Sequence, residues 1–470
     1  MNDDIYKCAS CCHWCPHPFP CTPTAAERSE ELECALGFGV SGVRRGRLGR
    51  CAGRYISRTQ KAFAALVLSC AITAAVFAVT PPNDVEHNAC RQQEFVAFNP
   101  RYKEMKAERA AAVRALAEEV ERREAAREPT ACSHQILFEL KLMMYFSADF
   151  TAIDRRIHDL QTTLDHPERE ALAEKQDPED GHWGACYEGW PLKLSATYDH
   201  RNYPTARSIR FFDRVNSPEK LTAYLVSFET SDIAKTGIDH AFDLNESLSD
   251  LMRLILRGEP EGYPWDPRLK QTMMDLLMHR FRNPDTGWWG EKYVRQGRFK
   301  FVDDLSMTFH TVSYLDGKVP DLAKIIDTAL ALETVDTPAG WLWDGSYWNH
   351  NNMDVAVLFR FGWPQASEAQ RQAMRAKIER MLRWCLAESL QPDGSFKPLV
   401  PDASLEEADY FGAAFLARIG YFDPARRFWT DAAFPDSDAV RRRIVRSINS
   451  HIATGGAGSF YYRSILEELR

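Results

Sequence analysis

The chain carries at residues 283–289 the stretch Asn283-Pro284-Asp285-Thr286-Gly287-Trp288-Trp289, a turn followed by two aromatic residues. Asparagine, proline, aspartate and glycine are residues that favour turns. A glycine followed closely by an aromatic residue recurs through the last three quarters of the sequence. Its copies are Gly181-His182-Trp183, Gly287-Trp288-Trp289, Gly340-Trp341, Gly394-Ser395-Phe396 and Gly458-Ser459-Phe460.

The spacing of these copies indicates a repeated structural unit. Successive glycines are separated by 106, 53, 54 and 64 residues, so the first gap equals two units of about 53 residues. A unit of this length is one hairpin of two helices. Stacked hairpins form an open solenoid, or a toroid in which inner helices surround a funnel. Residues 131–470 hold about six units, so the sequence predicts an all-α fold with an (α/α)6-type toroid.

A membrane segment is predicted at residues 61–82. Residues 62–79 contain no charged side chain, and residues 44–61 before them contain seven cations and no carboxylate. This combination is typical of a signal anchor or a signal peptide, and positive charge stays on the cytoplasmic side. We therefore expect a cytoplasmic N-terminus, with the rest of the chain membrane-anchored or released into the periplasm or the extracellular space.

Residues 1–60 form a basic, cysteine-rich leader in this interpretation. The seven thiols and imidazoles between residues 8 and 21 could bind zinc, but no second ligand pair follows at a zinc-finger spacing, which favours a leader without a metal. Beyond the membrane segment, Cys90, Cys132, Cys186 and Cys385 could form up to two disulfides in an oxidising compartment. The sequence predicts no metal and no cofactor for the exported part.

Residues 83–130 are predicted to form a helical spacer. Met105, Ala112, Leu116 and Val120 follow a helical period, and Arg109 interrupts the same face. We expect a long helix that separates the membrane from the toroid or packs on its outside. Either arrangement leaves the globular body at residues 131–470.

The composition is that of a folded domain, with 45% hydrophobic and 26% charged residues. The net charge is −8, and the residues after 82 carry 49 cations against 60 carboxylates. A nucleic-acid partner favours a basic face. The acidic balance therefore argues against nucleic acid.

The turn at residues 283–289 resembles the Asp-Pro-x-Thr-Gly-x-Trp turn of six-hairpin glycosidases, and polysaccharide lyases with toroidal domains use related turns. The stretch at residues 391–396, Gln-Pro-Asp-Gly-Ser-Phe, is similar to the Gln-x-x-x-Gly-x-Trp turns of terpenoid cyclases and prenyltransferases. The resemblance extends over residues 131–470 and rests on these short turns. It implies an α/α toroid and, for the first two families, a polysaccharide or oligosaccharide substrate.

Three helices that follow the turns open with polar residues. Aligning the helices by their apolar C-terminal ends places Asp303, Asn351 and Asp409 at equivalent positions. If these are inner helices, their polar first turns converge on one mouth of the funnel. Residues 341–354 form the densest cluster, with tryptophans, asparagines, a histidine and two aspartates, which is the chemistry that recognises sugars. The predicted substrate-binding residues are Trp288, Trp289, Tyr293, His310, Trp341, Trp343, Trp348, Asn349, Asn351, Asn352 and Tyr410.

A glycoside hydrolase is the first predicted activity. It needs one carboxylic acid for the leaving oxygen and one carboxylate that activates water, about 6.5–9.5 Å apart for inversion. The acidic balance favours this activity over one on a uronate polymer. The candidate carboxyl groups are Asp303, Asp304, Asp344, Asp354, Glu406, Glu407 and Asp409.

A polysaccharide lyase is the alternative, because residues 346–352 resemble in composition, though not in order, the Asn-Asn-His-Ser-Tyr-Trp motif of toroidal alginate lyases. In a lyase an amide neutralises the uronate, a base removes the adjacent proton and an acid protonates the leaving group. The candidates are Asn351 or Asn352 as neutraliser, His350 or His310 as base, and Tyr347 or Tyr293 as acid. A toroid that handles an isoprenoid and a glycan-binding scaffold without catalysis remain further alternatives.

Overall fold

The computed structural model describes residues 85–126, 128–172, 186, 210–256, 265–337, 339–343, 345–398, 405–455 and 460–470. All of these residues belong to one compact unit. The predicted leader, its cysteine and histidine cluster and the predicted membrane segment lie outside the described residues, as does Asp344. No helix in the described ranges is long and apolar enough to cross a membrane.

The described chain is mostly helical, which confirms the predicted all-α class at this coarse level. The helices of the first half are α1 (Val85–Phe98), α2 (Tyr102–Ala125), α3 (Ala131–Phe146), α4 (Phe150–Asp165), α5 (Pro218–Val226), α6 (Ile233–Thr236), α7 (Ala241–Leu251) and α8 (Leu269–His279). Those of the second half are α9 (Leu305–Tyr314), α10 (Leu322–Ala331), α11 (Asn349–Gly362), α12 (Glu368–Trp384), α13 (Leu405–Arg418), α14 (Ser437–Gly455) and α15 (Phe460–Leu469).

A small sheet, absent from the sequence prediction, joins these helices. Its strands are β1 (Thr230–Ser231), β2 (Gly290–Arg295) and β3 (Arg298–Asp303), in the order β1-β2-β3. β1 and β2 are parallel, and β2 and β3 form an antiparallel hairpin that leads directly into α9. This hairpin holds the basic residues Lys292, Arg295, Arg298 and Lys300. Its Lys292 forms an ion pair with Glu229 at 2.6 Å.

Residues 210–470 form two layers in which helices alternate along the chain. The inner helices α7, α9, α11, α13 and α15 pack in a row, each against the next, and α5, α8, α10, α12 and α14 lie outside them. α11 is buried on nearly all sides, whereas α10 buries one face through residues such as Leu322 and Ile326. This alternation is the arrangement that the 53-residue repeat predicts.

Local sequence signals set the ends of these helices. α12 begins with a capping box, in which Ser367 and Gln370 each bond the other's backbone N–H group. α5 begins with a serine cap at Ser217 and a proline at its first position. These are local interactions, so they form wherever the sequence carries them.

The glycine-aromatic turns at Gly287, Gly340 and Gly394 each connect an outer helix to an inner one, and the copies at Gly181 and Gly458 lie outside the described residues. Gly287 has a φ of +80°, a conformation that favours glycine. The indole N–H of Trp288 donates to the carbonyl oxygen of Ile325 at 3.1 Å, and that of Trp289 to the carbonyl oxygen of Leu277 at 2.8 Å. The two tryptophans of this turn are therefore buried in the core and bond the neighbouring outer helices α8 and α10.

The N-terminal helices form a second hydrophobic core with α3 and α4. Leu116 and Val120 of the predicted seam are buried in it and Met105 is partly buried, whereas Ala112 is exposed and its neighbour Val113 is buried instead. Arg109, which interrupts that seam, forms an ion pair with Asp154 of α4 at 2.6 Å. α2 therefore packs against the residues that follow it and is not a solvated spacer, because its apolar face has a partner.

Two of the predicted thiols form a disulfide, Cys132–Cys186. Cys385 is buried and unbonded, and it is the free cysteine of the described side chains. The disulfide ties the start of α3 to Cys186, 54 residues further along the chain.

Candidate functional site

The N-terminal ends of neighbouring inner helices lie close together. Neighbouring helices are joined there by polar contacts: Asn245 to Asp304, His350 to Glu407, and Asp409 to Tyr462. Each contact links residues at or near the start of two successive inner helices. The structure thus brings together the polar helix starts that the sequence places at a funnel mouth.

Four of the predicted residues form what we call the acid cluster: Asp304, His350, Asp354 and Glu407. His350 Nε2 lies 3.9 Å from Asp354 Oδ2, and His350 Nδ1 lies 3.7 Å from Glu407 Oε1. The side chains are 31% exposed for Glu407, 15% for His350 and 0% for Asp354. Exposure to solvent therefore falls across the acid cluster, from the partly exposed Glu407 to the fully buried carboxyl group of Asp354.

Two aromatic rings hold the imidazole of His350 in place. The ring of Phe411 stacks on it with centroids 3.8 Å apart, and the ring of Trp348 meets it edge-on at 4.8 Å. Trp348 therefore lies at the acid cluster, and its side chain is half-buried. The stacking fixes the direction of both ring nitrogens.

Asp354 is the most perturbed member of the cluster. Neither carboxyl oxygen has a hydrogen-bond partner among the described residues. Burial raises the pKa of Asp354 well above its usual value, and the nearby charge of Asp304 adds to this. Burial therefore favours the protonated, uncharged form of Asp354.

Asp304 is both the N-terminal cap of α9 and an ionisable group of the acid cluster. It caps α9 by accepting a hydrogen bond from the backbone N–H of Met307 at 2.7 Å. Asn245 Nδ2 lies 3.3 and 3.4 Å from its two oxygens. Burial raises the pKa of Asp304 to about 7, although the backbone hydrogen bonds oppose the shift. Burial therefore makes Asp304 a much weaker acid than an exposed aspartate.

The three positions aligned in the sequence share one role, which is to bind the turn before their helix. Asp303 accepts from Asn283 Nδ2 (2.9 Å), Asn351 donates to the carbonyl oxygen of Trp341 (3.0 Å), and Asp409 accepts from the backbone N–H of Phe396 (2.7 Å). All three are buried. Each of the three side chains therefore holds the turn before its helix through one hydrogen bond, and their roles in catalysis or substrate binding stay predictions.

Most of the predicted aromatic platform is core. Trp288, Trp289, Trp341 and Tyr293 have no exposed surface, and Trp343 is also buried. A sugar can stack only on a ring that solvent reaches. The prediction that these five residues bind substrate is therefore wrong in this structure, because the space between the layers demands large apolar side chains.

Other predicted residues are engaged away from the acid cluster. The hydroxyl of Tyr347 donates to Glu333 at 2.8 Å, and Glu333 also pairs with Lys377 and Arg380 of α12. This ion network lies against an outer helix, so the prediction of Tyr347 as a catalytic acid is corrected. His310 lies in the middle of α9, where its ring contacts Phe309 and Tyr314. Tyr410 is half-buried, and burial raises its pKa.

The start of α11 holds an unusual number of buried polar atoms without a hydrogen-bond partner among the described residues. His350 and Asp354 are four residues apart and share one helix face, while Asn349 and Asn352 are three apart on another. Nearly all buried polar groups in proteins are hydrogen-bonded to protein or ordered water. Water or a ligand is therefore expected at these atoms, which are Asn349 Oδ1, His350 Nδ1, both amide atoms of Asn352 and both oxygens of Asp354.

Two residues of the site escaped the sequence analysis. Asn245 contacts Asp304, but its helix α7 belongs to the unit whose glycine-aromatic turn is missing from the 106-residue gap. Phe411 stacks on His350, but an apolar residue inside a helix gives no functional signal. Within the described ranges, no three His, Cys, Asp or Glu side chains are grouped so that they could hold a metal ion.

Comparison with protein-family models, with curated proteins and with solved structures finds no match to this chain.

Proposed function

We propose that this protein hydrolyses glycosidic bonds in a polysaccharide or oligosaccharide, with the acid cluster as its active site. The observation that carries the proposal is a pair of carboxyl groups in contrasting environments, with one imidazole between them. Asp354 is buried, which favours its protonated form, and Glu407 is partly exposed to water. Hydrolysis of a glycoside uses one carboxyl group as acid and another as base. Their different environments separate the two pKa values, so that one group is protonated and the other is ionised.

The exposure of each group suggests its role in the reaction. His350, the partly exposed member, passes the proton of Asp354 to the leaving oxygen as the glycosidic bond breaks. Glu407 accepts a proton from the water that attacks the sugar carbon. The proton on Glu407 then returns through His350 to Asp354, which restores the starting state. The imidazole lies between the two carboxyl groups, and inversion would need them to be about 6.5–9.5 Å apart.

Three of the six lyase candidates are engaged elsewhere, which favours hydrolysis over elimination, while Asn352, His350 and His310 stay candidates for neutraliser and base. Asn351 is bonded to the carbonyl oxygen of Trp341, Tyr347 is bonded to Glu333, and Tyr293 is fully buried. These three were candidates for neutraliser and acid in a lyase. Carboxyl groups, by contrast, are the groups gathered around His350.

We also propose that the row of inner helices closes into a toroid, with α4 as the sixth inner helix. The backbone N–H of Ala148 donates to the carbonyl oxygen of Gly237, and that of Asp239 to the carbonyl oxygen of Phe146. These bonds place the start of α4, at Phe150, beside the start of α7. α4 therefore begins at the same end as the other inner helices.

Export of this domain is part of the proposal. The disulfide between Cys132 and Cys186 is typical of a protein folded in an oxidising compartment. The predicted anchor or signal at residues 61–82 would deliver the domain there. Labelling thiols in the isolated protein under denaturing conditions would reveal two protected cysteines if the bridge forms.

Turnover on a glycan panel tests the proposed activity. The full-length protein is incubated with neutral and uronate polysaccharides, and new reducing ends and unsaturated-uronate absorbance are measured together. We expect reducing ends without that absorbance, and turnover by Asp354→Asn that is lower by about 10²–10⁴-fold. Absorbance from unsaturated uronates would show a lyase. Binding without turnover would show a scaffold, and Asp275→Asn on the outer helix α8 is the matched control.

A further inference from the structure

A cavity of about 370 Å3 opens between α14 and α15. Its size is within the range of about 300–1,000 Å3 for small-molecule sites. We call it the arginine groove, because Arg441, Arg442, Arg446 and Arg470 line it. No carboxylate is found among its described lining residues, so the side chains of its wall carry charge of one sign.

The positive charge of the arginine groove contrasts with the rest of the chain. The residues after 82 carry 49 cations against 60 carboxylates. Arg441 is paired with Asp438 at 2.9 Å, whereas neither Arg442 nor Arg446 has an ion-pair partner in the described part of the chain. These two arginines are exposed and lie four residues apart on α14, where like charges repel each other. An anion bound between them relieves this repulsion.

The floor of the arginine groove is apolar. Val445 of α14 and Leu466 of α15 are half-buried, and Leu469 beside them is buried. All three pack on the hydrophobic core. A small inorganic anion satisfies the arginines but leaves this floor in water. A ligand with both a negative charge and an apolar chain also covers the floor, and removing apolar surface from water favours its binding.

The helix that carries the arginines is amphipathic. Ile444 and Ile448 of α14 are buried in the core, whereas Arg442 and Arg446 are exposed. A basic amphipathic helix is typical of proteins that bind a membrane surface. Clusters of arginine on such a helix bind anionic lipid head groups.

The size of the arginine groove favours a lipid over a protein partner. A stable protein interface uses about 20–30 residues on each side. The described residues that line the groove number eight. The groove is therefore large enough for a head group and the start of an acyl chain, and small for a protein surface.

The arginine groove lies away from the starts of the inner helices. His451 Nδ1, near the end of α14, lies 3.3 Å from Oδ2 of Asp409, near the start of α13. Arg442 precedes His451 by nine residues, which is about 14 Å along the helix. A ligand in the groove is therefore bound at the other end of α14 from these helix starts.

We propose that the arginine groove binds the head group of an anionic phospholipid, so that α14 and α15 face a membrane surface. The phosphate accepts hydrogen bonds from the guanidinium groups of Arg442 and Arg446, whose N–H groups match its oxygens. The first methylene groups of an acyl chain cover Val445 and Leu466. The predicted membrane segment at residues 61–82 would hold the domain beside such a surface.

This inference does not depend on the proposed hydrolysis, because none of the described residues that line the groove belongs to the acid cluster. Lipid binding and turnover are measured separately, so either can fail without the other.

Calorimetric titration of the full-length protein in a non-ionic detergent tests the groove. The ligands are dihexanoyl phosphatidylglycerol, which is anionic, dihexanoyl phosphatidylcholine, which has no net charge, and glycerol phosphate, which has no acyl chain. We expect phosphatidylglycerol to bind at least about tenfold more tightly than each of the other two, because only it offers both a net negative charge and apolar chains. Its affinity should fall as salt is added.

Variants of the groove separate its charge from its apolar floor. Arg442→Gln with Arg446→Gln should weaken binding of phosphatidylglycerol by about tenfold or more, the effect of losing charge-assisted hydrogen bonds. Val445→Thr keeps the shape of the side chain and adds a hydroxyl group, so it should weaken binding of the lipid and leave glycerol phosphate unchanged. Arg383→Gln is the matched control, because Arg383 is an exposed arginine on the outer helix α12. Thermal melting of each variant shows that it is folded.

Four results would overturn the proposal. They are equal affinities for the two lipids, lipid binding that the double arginine variant retains, an equal loss of binding in Arg383→Gln, and glycerol phosphate that binds as tightly as the lipid. The last result would show a site for soluble phosphate esters. A hexaglutamate peptide is titrated as well, and tighter binding of this peptide than of phosphatidylglycerol would show an acidic protein partner in place of the lipid.

Discussion

His350 and Asp354 lie one helical turn apart on α11, with His350 Nε2 3.9 Å from Asp354 Oδ2, and the imidazole covers a carboxyl group that has no exposed surface. The other ring nitrogen faces Glu407, which solvent reaches. An aspartate in this position costs folding free energy, because burial without a hydrogen bond disfavours a polar group. Proteins keep such groups mostly where their perturbed acidity is used.

Replacing members of the acid cluster should separate catalysis from folding. Asp354→Asn and Glu407→Gln should each lower kcat on a cleaved glycan by about 10²–10⁴-fold, the usual contribution of a general acid or base. His350→Gln should shift the pH profile of kcat as well, because it removes the group that relays the proton. Initial rates of reducing-end release measure all three. Wild-type rates in the first two variants would place the chemistry elsewhere.

The pKa of Asp304 predicts how stability depends on pH. Its folded pKa, about 7, is higher than the usual value of 3.8, so the folded state binds the extra proton. The free energy of unfolding should therefore fall as pH rises from about 4 to about 7, by on the order of 3 kcal/mol from this group. Asn can still cap α9, so Asp304→Asn should remove this pH dependence.

Urea unfolding of the wild-type and Asp304→Asn proteins at pH 4, 5.5 and 7 measures this difference. Asp423→Asn is the matched control, because Asp423 is an exposed cap that accepts from the backbone N–H of Ala425. A difference between wild type and Asp304→Asn that stays constant from pH 4 to pH 7 would contradict the assigned pKa.

Gly394 should tolerate no side chain. Its φ is +100°, and a Cβ atom would lie 2.4 Å from the carbonyl oxygen of Arg443. Gly394→Ala should lower the free energy of unfolding by about 3 kcal/mol, from backbone strain and from the clash together. Gly345→Ala is the control, since Gly345 has a φ of +71° with nothing within 4 Å, and should cost about 1 kcal/mol. Thermal melting compares the stabilities of the two variants. Similar losses of stability would show that the close approach to Arg443 does not destabilise Gly394→Ala.

The disulfide should stabilise the N-terminal core. Cys132→Ser with Cys186→Ser should lower the free energy of unfolding by about 2–4 kcal/mol, because the reduced chain gains freedom in the unfolded state. Reductant should destabilise the wild-type protein by a similar amount and leave the double variant unchanged. The same experiment on Cys385→Ser, which is unbonded, reports the cost of changing a buried thiol alone. A double variant as stable as wild type would mean that the bridge does not form.

The comparison of sequence and structure is clearest at the glycine-aromatic turns. Their spacing predicted alternating helices because turn residues and helix periodicity are local properties, and the rows of inner and outer helices have that order. The alignment of Asp303, Asn351 and Asp409 also identified positions with one shared role. That role is to bind a turn, and the sequence could not reveal it because it depends on which backbone group lies opposite.

The tryptophans show where sequence reasoning stopped. An indole ring suits a sugar platform and a core equally well, and only the position of the neighbouring layer buried Trp288, Trp289 and Trp341. Asn245 gave no signal at all, because its contact with Asp304 joins residues that are 59 apart in the chain.

The sequence by itself determined the helical repeat, the turns with their glycines and the helix caps, because each depends on residues close together in the chain. The tertiary structure decided which of many carboxyl groups are perturbed. Asp354 and Glu407 differ through burial and exposure, and burial is a property of the packed helices and of no single segment.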